Sequence, residues 1–411
     1  GDMRVLLLLC ALVAVLAKKR YDNYQVYQLE ILTDSQIQFT RGLHHDDELD
    51  FWSDTDVMVP PHRVEGFLAV LRNNGITYTL LNDNVQADLD REEMQIEQRD
   101  RTRPYDLDNW NTYTQILDAV DDFVAACPDD VTCERVSMGQ SYEGNDVPAI
   151  TISSGSGNPV IYLDSLIHCR EWLAGATVLR LADRLINGND DEAVRMRTTY
   201  DWYIAPVINP DGYLYTWSNE RMWRKNREPN DNSNCVGTDL NRNFAVEWMN
   251  AGTSSSPCSD TYGGPSAASA IETRNVQDKL MELGDSIHGA ISYHSYARMW
   301  LHAYGYVDRL GRCATSDFHD EIYRVAELAA LAVEEEGGQN WQYGPVCTVI
   351  YPASGSTVDF AHDQVGAIYS FTPELRGFSF APDADQIEPS YREQWAGLVA
   401  MADAIADARA H

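Results

Sequence analysis

Beyond about residue 102 the chain alternates short, almost wholly apolar runs with longer stretches of helical period. No other feature restricts the possible folds as strongly. The runs at 160–166, 202–207, 290–294 and 367–372 are too continuous to be strands with one wet face, so they predict strands covered on both sides. Between and after them, 175–185, 268–281, 323–334 and 394–408 carry apolar residues at helical spacing. Together they predict an α/β unit, a mixed, largely parallel sheet flanked by helices. Ahead of it, residues 21–85 read strand, helix, two short strands, helix, strand, at 24–29, 35–43, 51–52, 57–59, 64–71 and 76–81. That order suits a small open sandwich with an antiparallel sheet. A length of 411 residues agrees with two units, and 44% hydrophobic residues suffice for a large core.

The two units are joined by a charged helical connector ending in Gln98-Arg99-Asp-Arg101-Thr-Arg103-Pro104. Basic residues in an exposed polar segment make a protease-sensitive linker. Cleavage by a trypsin-like enzyme is expected after Arg101 or Arg99, because Pro104 shields the bond after Arg103. At the start of the chain, Gly1-Asp2 read as a cloning remnant. Residues 3–17, a basic residue and an apolar run closing on small Ala17, read as a secretory signal peptide. The run is too short to span a bilayer, and an exported, soluble protein is expected. The balance of 63 acidic to 31 basic residues, a net charge of -32, repels nucleic acid and anionic membranes and mostly serves solubility.

The chemistry centres on Ser165-Leu-Ile-His168-Cys-Arg-Glu171-Trp172. His168 and Glu171 stand three apart, a spacing that lets imidazole and carboxylate converge on one tetrahedral Zn2+. The candidate third ligand is His294, at the end of the buried run 290–294. Two His and one Glu leave a fourth coordination position for water. No pair of His flanks a Glu as in the usual metalloproteases, and His319-Asp-Glu321 lacks the paired cysteines of a deaminase. His319 and the acid-flanked His44-His45 read as surface residues.

These residues stand among separated blocks: His168-Cys-Arg-Glu171-Trp172, Asn209-Pro-Asp-Gly-Tyr213, Arg221-Met-Trp-Arg224-Lys225, Asp239-Leu-Asn241-Arg242-Asn243, His294-Ser-Tyr296, Ile350-Tyr351-Pro-Ala-Ser-Gly355 and Pro373-Glu374-Leu375-Arg376. In composition and order they resemble the secreted zinc procarboxypeptidases of the pancreatic carboxypeptidase A/B family. The resemblance covers nearly the whole chain after residue 17. It implies an inhibitory activation domain over 18–101, and a catalytic domain over 102–411 with a sheet of about eight strands. It also implies one Zn2+, a monomer, and peptide or protein C-termini as substrate. An activating protease and the chain's own prodomain, as intramolecular inhibitor, would be its partners, and the digestive lumen its place.

Residue by residue, the resemblance makes Glu374 the general base, Arg224 the cation facing the developing oxyanion, and Arg242 with Asn241 and Tyr351 the clamp for the substrate carboxylate. Arg170 and Arg221 become secondary carboxylate contacts, Tyr296 lines the adjoining subsite, and Asp239 supports the clamp or a metal ligand. Ser292, Leu301, Gly305, Val346, Val358 and Thr372 surround the side-chain pocket. Val358 stands where basic-specific members carry an acid, so aromatic or aliphatic C-terminal residues are the expected preference. The adjacent Asp359 keeps Lys/Arg specificity open as an alternative, and a zinc amidohydrolase or an inactive binding protein on this scaffold are the others. With Cys10 lost with the signal, local spacing and the resemblance pair Cys127 with Cys133, Cys235 with Cys258 and Cys313 with Cys347. That leaves Cys169 free beside a ligand, most simply as a buried small apolar residue, alternatively as a fourth ligand or redox switch.

Overall fold

The computed structural model describes residues 18–409 except 45, 47, 100, 101 and 156. The expected signal peptide, His45 and the bond after Arg101 therefore lie outside the described residues. The N-terminal unit runs β1 (Gln25–Glu30), α1 (Asp34–Leu43), β2 (Asp50–Phe51), β3 (Asp56–Val59), α2 (Val64–Asn73), β4 (Thr77–Asn82) and α3 (Val85–Gln98). Its four strands pair antiparallel in the order β2-β3-β1-β4. Alternation along the strands separates its two faces. Tyr27, Leu29, Val57 and Val59 pack on Phe67 and Leu71 of α2, whereas Val26 and Met58 point the other way, toward Tyr296 and Phe380 of the larger unit. The sheet is thus buried on both sides, once against its own helices and once against its neighbour. Helix α1 starts on a reciprocal cap in which Thr33 and Gln36 satisfy each other's backbone N–H.

The larger unit runs α4 (Tyr113–Ala125), β5 (Thr132–Gln140), β6 (Asp146–Ser153), β7 (Val160–Ser165), α5 (Trp172–Asn187), α6 (Asp191–Thr199), β8 (Asp201–Ala205) and α7 (Pro210–Ser218). It continues with α8 (Ile271–Leu283), β9 (Ile287–Tyr293), β10 (Met299–His302), α9 (His319–Gly337), β11 (Gln342–Pro345), α10 (Val346–Val349), α11 (Thr357–Asp363), β12 (Ser370–Glu374) and α12 (Ile387–Arg409). Its eight strands lie in the order β11-β10-β12-β9-β7-β8-β6-β5. The centre, β12, β9, β7 and β8, is parallel; β10 runs antiparallel to β12 and parallel to β11, and β6 is antiparallel to both β8 and β5. The four apolar runs expected as strands are β7, β8, β9 and β12, the fully covered centre. The edge strand β5 escapes the reading because it is largely exposed and carries Glu134 and Arg135 among its apolar residues; β6, inside it and mostly buried, is missed as well. Two apolar clusters cover the two faces, one around α5, α9 and α12 and one around α8 and α11.

The three expected disulfides are formed, Cys127–Cys133, Cys235–Cys258 and Cys313–Cys347, and Cys169 is free and buried. Among the described residues no helix is long and apolar enough to cross a membrane.

Candidate zinc site and substrate cleft

Three neighbouring parallel strands deliver the site at their C-terminal ends, where open α/β sheets build their crevices. Strand β7 ends at Ser165, and the chain turns through Leu166, a non-glycine residue at φ 56°, before presenting His168 and Glu171 at the start of α5. The turn is held by packing: a Cβ at Gly175 of α5 would lie 2.5 Å from Leu166 Cδ1, so only glycine leaves room for that side chain. Strand β9 ends beside His294 and β12 ends on Glu374, and these two residues face each other in a parallel bridge.

The donor atoms of His168, Glu171 and His294 all lie within 4.8 Å of one another, and all three residues are buried. His168 Nδ1 is 2.8 Å from Glu171 Oε1, His294 Nδ1 is 3.0 Å from Glu171 Oε2, and the two Nδ1 atoms are 3.1 Å apart. A tetrahedral zinc with Zn–N bonds near 2.0–2.1 Å holds two nitrogens roughly 3.3 Å apart, so this donor set fits the ion. The second nitrogen of His168 is engaged elsewhere. Nε2 donates to Asp239 Oδ1 at 3.1 Å, which fixes the tautomer that leaves Nδ1 with a lone pair for the metal. Asp239 also accepts from Arg224 Nε and Nη2 at 3.1 and 2.9 Å, so one buried carboxylate orients both a ligand and the neighbouring guanidinium. Burial opposes the charge on Asp239, but Arg224 and His168 win and hold it well below the usual carboxylate range. Glu374 is the opposite case: burial, with Glu171 close by, raises its carboxyl above the ordinary range. Arg376 does not pair with it; its guanidinium turns instead to Glu393 at 3.3 Å.

Around this centre, Arg242 Nη2 donates to the Tyr351 hydroxyl at 3.2 Å. Asn241 sends Nδ2 toward His294 at 3.4 Å while its Oδ1 accepts from Thr357 N at 2.9 Å. Leu301, Val346 and Val358 form one buried apolar cluster with Ala353, edged by Ile350 and Tyr351. Gly305 closes the same wall, since a Cβ there would meet Ala353 O at 2.3 Å and Val346 Cγ1 at 3.3 Å. Thr372 pairs across the sheet with Leu301, and Ser292 donates to buried Asp164 at 2.6 Å. Asp359, beside Val358, accepts the Gly305 N–H on both oxygens at 2.9 and 3.0 Å. Cys169 is no ligand: its thiol donates to the Arg224 and Lys225 carbonyls at 3.2 Å, and burial raises its pKa far above that of a free thiol. His319 is half-buried against His302 and Tyr323 rather than fully at the surface.

The N-terminal unit lies across the mouth of this cleft and places a carboxylate on each outlying arginine. Asp50 lies 3.0 and 2.9 Å from Arg170 Nη1. Glu92 takes Arg221 side-on, at 2.7 Å to Nε and 2.9 Å to Nη2. Asp56 accepts from the Tyr296 hydroxyl at 3.2 Å, and Trp52 packs against Tyr296 and Phe380. Trp52, just past β2, thus covers Tyr296, two residues beyond the candidate ligand His294. A cavity of about 750 Å³ remains beside Trp52, reaching Arg224 and Tyr351. Asp50, Glu92, Asp164 and Phe380 were not legible as site residues, because each is an ordinary residue of its own segment until the tertiary fold sets it against its partner.

Comparison with known proteins agrees with this geometry. The zinc carboxypeptidase family pattern matches residues 116–397, and the carboxypeptidase activation peptide pattern matches residues 27–92. The chain belongs to the zinc carboxypeptidase family. This zinc carboxypeptidase is 34% identical to rat carboxypeptidase A2 over 98% of its own length and 99% of the relative's. It is 34% identical to bovine carboxypeptidase A1 over 97% and 98%. A Simulium vittatum zinc carboxypeptidase is 39% identical over 69% of this chain and 92% of the relative. Among solved structures, carboxypeptidase A from Helicoverpa armigera superposes with a TM-score of 0.85 at 30% identity, covering 95% of this chain and 99% of that one. The N-terminal unit is the activation peptide, so the chain is a zymogen, and the His168, Glu171, His294 cluster is its single zinc site.

Proposed function

We propose that residues 102–411 are the catalytic domain of a digestive-type carboxypeptidase that releases aromatic and aliphatic residues from peptide and protein C-termini, and that cleavage after Arg101 or Arg99 by a trypsin-like enzyme frees it from residues 18–101. The apolar cluster of Leu301, Val346 and Val358 beside the Arg242 clamp carries this reading. A Lys head-group in that cluster would be desolvated without a counter-charge, at a cost of several kcal/mol. Asp359, the one acid that would favour basic substrates, is committed to the Gly305 backbone, which supports the apolar preference. Three disulfides fit an oxidising, extracellular setting.

In this reading Arg242, with Asn241 and Tyr351, grips the terminal carboxylate, Arg170 and Arg221 offer secondary contacts, and Tyr296 lines the adjoining subsite. A zinc ion held by His168, Glu171 and His294 would supply Lewis-acid polarisation of the scissile carbonyl and would lower the pKa of water there. Glu374, in bridge contact with the ligand His294, takes the proton from the attacking water and returns it to the leaving amine. Arg224, held by Asp239, faces the oxygen on which negative charge develops. The test is amino-acid release, after limited trypsin treatment, from two peptides identical except for a C-terminal Phe or Lys, with and without a zinc chelator. Chelator-sensitive release of Phe over Lys is expected. Preference for Lys would overturn the pocket assignment, and no release from either would overturn the reading as a whole.

A further inference from the structure

Behind the catalytic face, on the side of the sheet covered by the last helix, lies a buried cluster of charge. Glu393 of α12 is 1% exposed and pairs with Arg376 at 3.3 Å. Arg298 interacts electrostatically with the same carboxylate, and burial together with Arg376 lowers its pKa. Glu336 of α9 faces Glu393 as a like charge. Among the described residues, neither Glu393 oxygen makes a hydrogen bond, so its interactions are ionic.

The two arginines extend from the two arms that carry the site. Arg376 lies two residues past Glu374, and Arg298 four residues past His294. The arms are laced together by backbone bonds: His294 N to Pro373 O and Leu375 N to His294 O at 2.9 Å, then Ala297 N and Arg298 N to Leu375 O at 3.0 and 3.1 Å. Arg298 ends this lacing at φ 58°, a conformation disfavoured for a residue with a long side chain. The neighbouring helix is cut to admit the acid, because a Cβ on Gly337 of α9 would lie 1.9 Å from Glu393 Oε1. Glycine is a poor helix former, here at the last residue of α9, and a buried acid is commonly less stabilising than an apolar side chain of its size. Both costs are accepted here to set one negative charge against two positive ones.

We propose that Glu393 is a positioning residue for catalysis: its carboxylate neutralises Arg376 and Arg298 and so fixes the end of β12, and with it Glu374, relative to the His294 arm. Without that charge two half-buried guanidinium groups repel each other across the joint. A displacement of about 1 Å at a reacting group can lower turnover about a hundredfold. The inference rests on the proposed role of Glu374 as base.

The test uses the full-length zymogen after activation, carrying Glu393→Gln, Arg376→Met, both together, or Glu374→Gln. It measures kcat and KM for C-terminal residue release, zinc content by metal analysis, and the thermal midpoint, with kinetics taken well below that midpoint. Expected for Glu393→Gln is a fall in kcat of about tenfold or more with KM and zinc content near wild type. The double variant should be no slower than the slower single one, because both remove the same restraint. Unchanged kcat in Glu393→Gln, or loss of zinc and activity in proportion to unfolded protein, would overturn the inference. Glu393→Met, which removes the charge at similar side-chain length, takes its place if Glu393→Gln does not fold, with the same expectation and the same overturning result. Turnover retained by Glu374→Gln would refute the base assignment and this inference with it, whereas an inactive Glu374→Gln beside a fully active Glu393→Gln would refute this inference alone.

Discussion

Replacing Glu92 by alanine should open the zymogen without touching the enzyme it releases. Glu92 and Arg221 are 5% and 7% exposed in their side chains and meet through two bonds of 2.7 and 2.9 Å. Burial raises the pKa of Glu92 against the pull of Arg221, so the intact pair adds little net stability while one stranded partner is costly. Removing one member of such a pair costs about 3–5 kcal/mol. The low end applies, because Arg221 keeps the Arg170 and Phe380 carbonyls at 2.8 and 2.7 Å and stacks on Trp172 at 3.7 Å. The penalty exists only while the activation peptide is docked; once it lifts, Arg221 meets water. The docking equilibrium therefore shifts by about 3 kcal/mol, close to two orders of magnitude. Peptide hydrolysis by the intact zymogen, checked by gel to be uncleaved, should rise by that factor or to the level of activated enzyme, whichever is lower. After proteolysis the variant and wild type should be equal, since Glu92 leaves with the activation peptide. An unchanged latent activity in a folded variant would refute the view that this pair holds the peptide down.

Val358→Asp should lower release of C-terminal Phe and raise release of C-terminal Lys, read as the ratio of kcat/KM for the two peptides; an unchanged ratio would remove Val358 from the pocket. Asp359 is fully buried, and burial pushes its carboxyl up to about 7. Its folded pKa thus exceeds the unfolded value of about 3.9, so the stability it contributes is present below that value and lost as pH rises through about 7, to a limit of about 4 kcal/mol. Asp359→Asn should accordingly gain thermal stability relative to wild type between pH 4.5 and 7.5, and parallel midpoint curves would contradict this. Cys169→Ser should fold and turn over nearly as wild type, because a hydroxyl can donate to the Arg224 and Lys225 carbonyls as the thiol does. The folded wild type should also resist thiol reagents, and rapid labelling of Cys169 would show that its burial is broken in solution.

Local sequence by itself determined the parts whose physics is short-range. The centre of the sheet was legible because strands covered on both faces cannot hide their apolar runs, and the activation peptide because its element order is compact. The ligand pair was legible because a three-residue spacing ahead of a helix places both side chains on one side. The edge strand β5, the hydrophilic helix α6 and the short helices α7, α10 and α11 were not, since partial exposure or brevity leaves no period to read. The tertiary structure alone decided how distant groups share charge. Asp239 joins a zinc ligand to Arg224, Glu92 and Asp50 meet Arg221 and Arg170 across the interface of the two units, and Glu393 reaches Arg376 through the space left by Gly337. A carboxylate looks the same in sequence whether it is solvated or sealed against a guanidinium. What differs is the dielectric and the partner around it, and both exist only once the chain has folded.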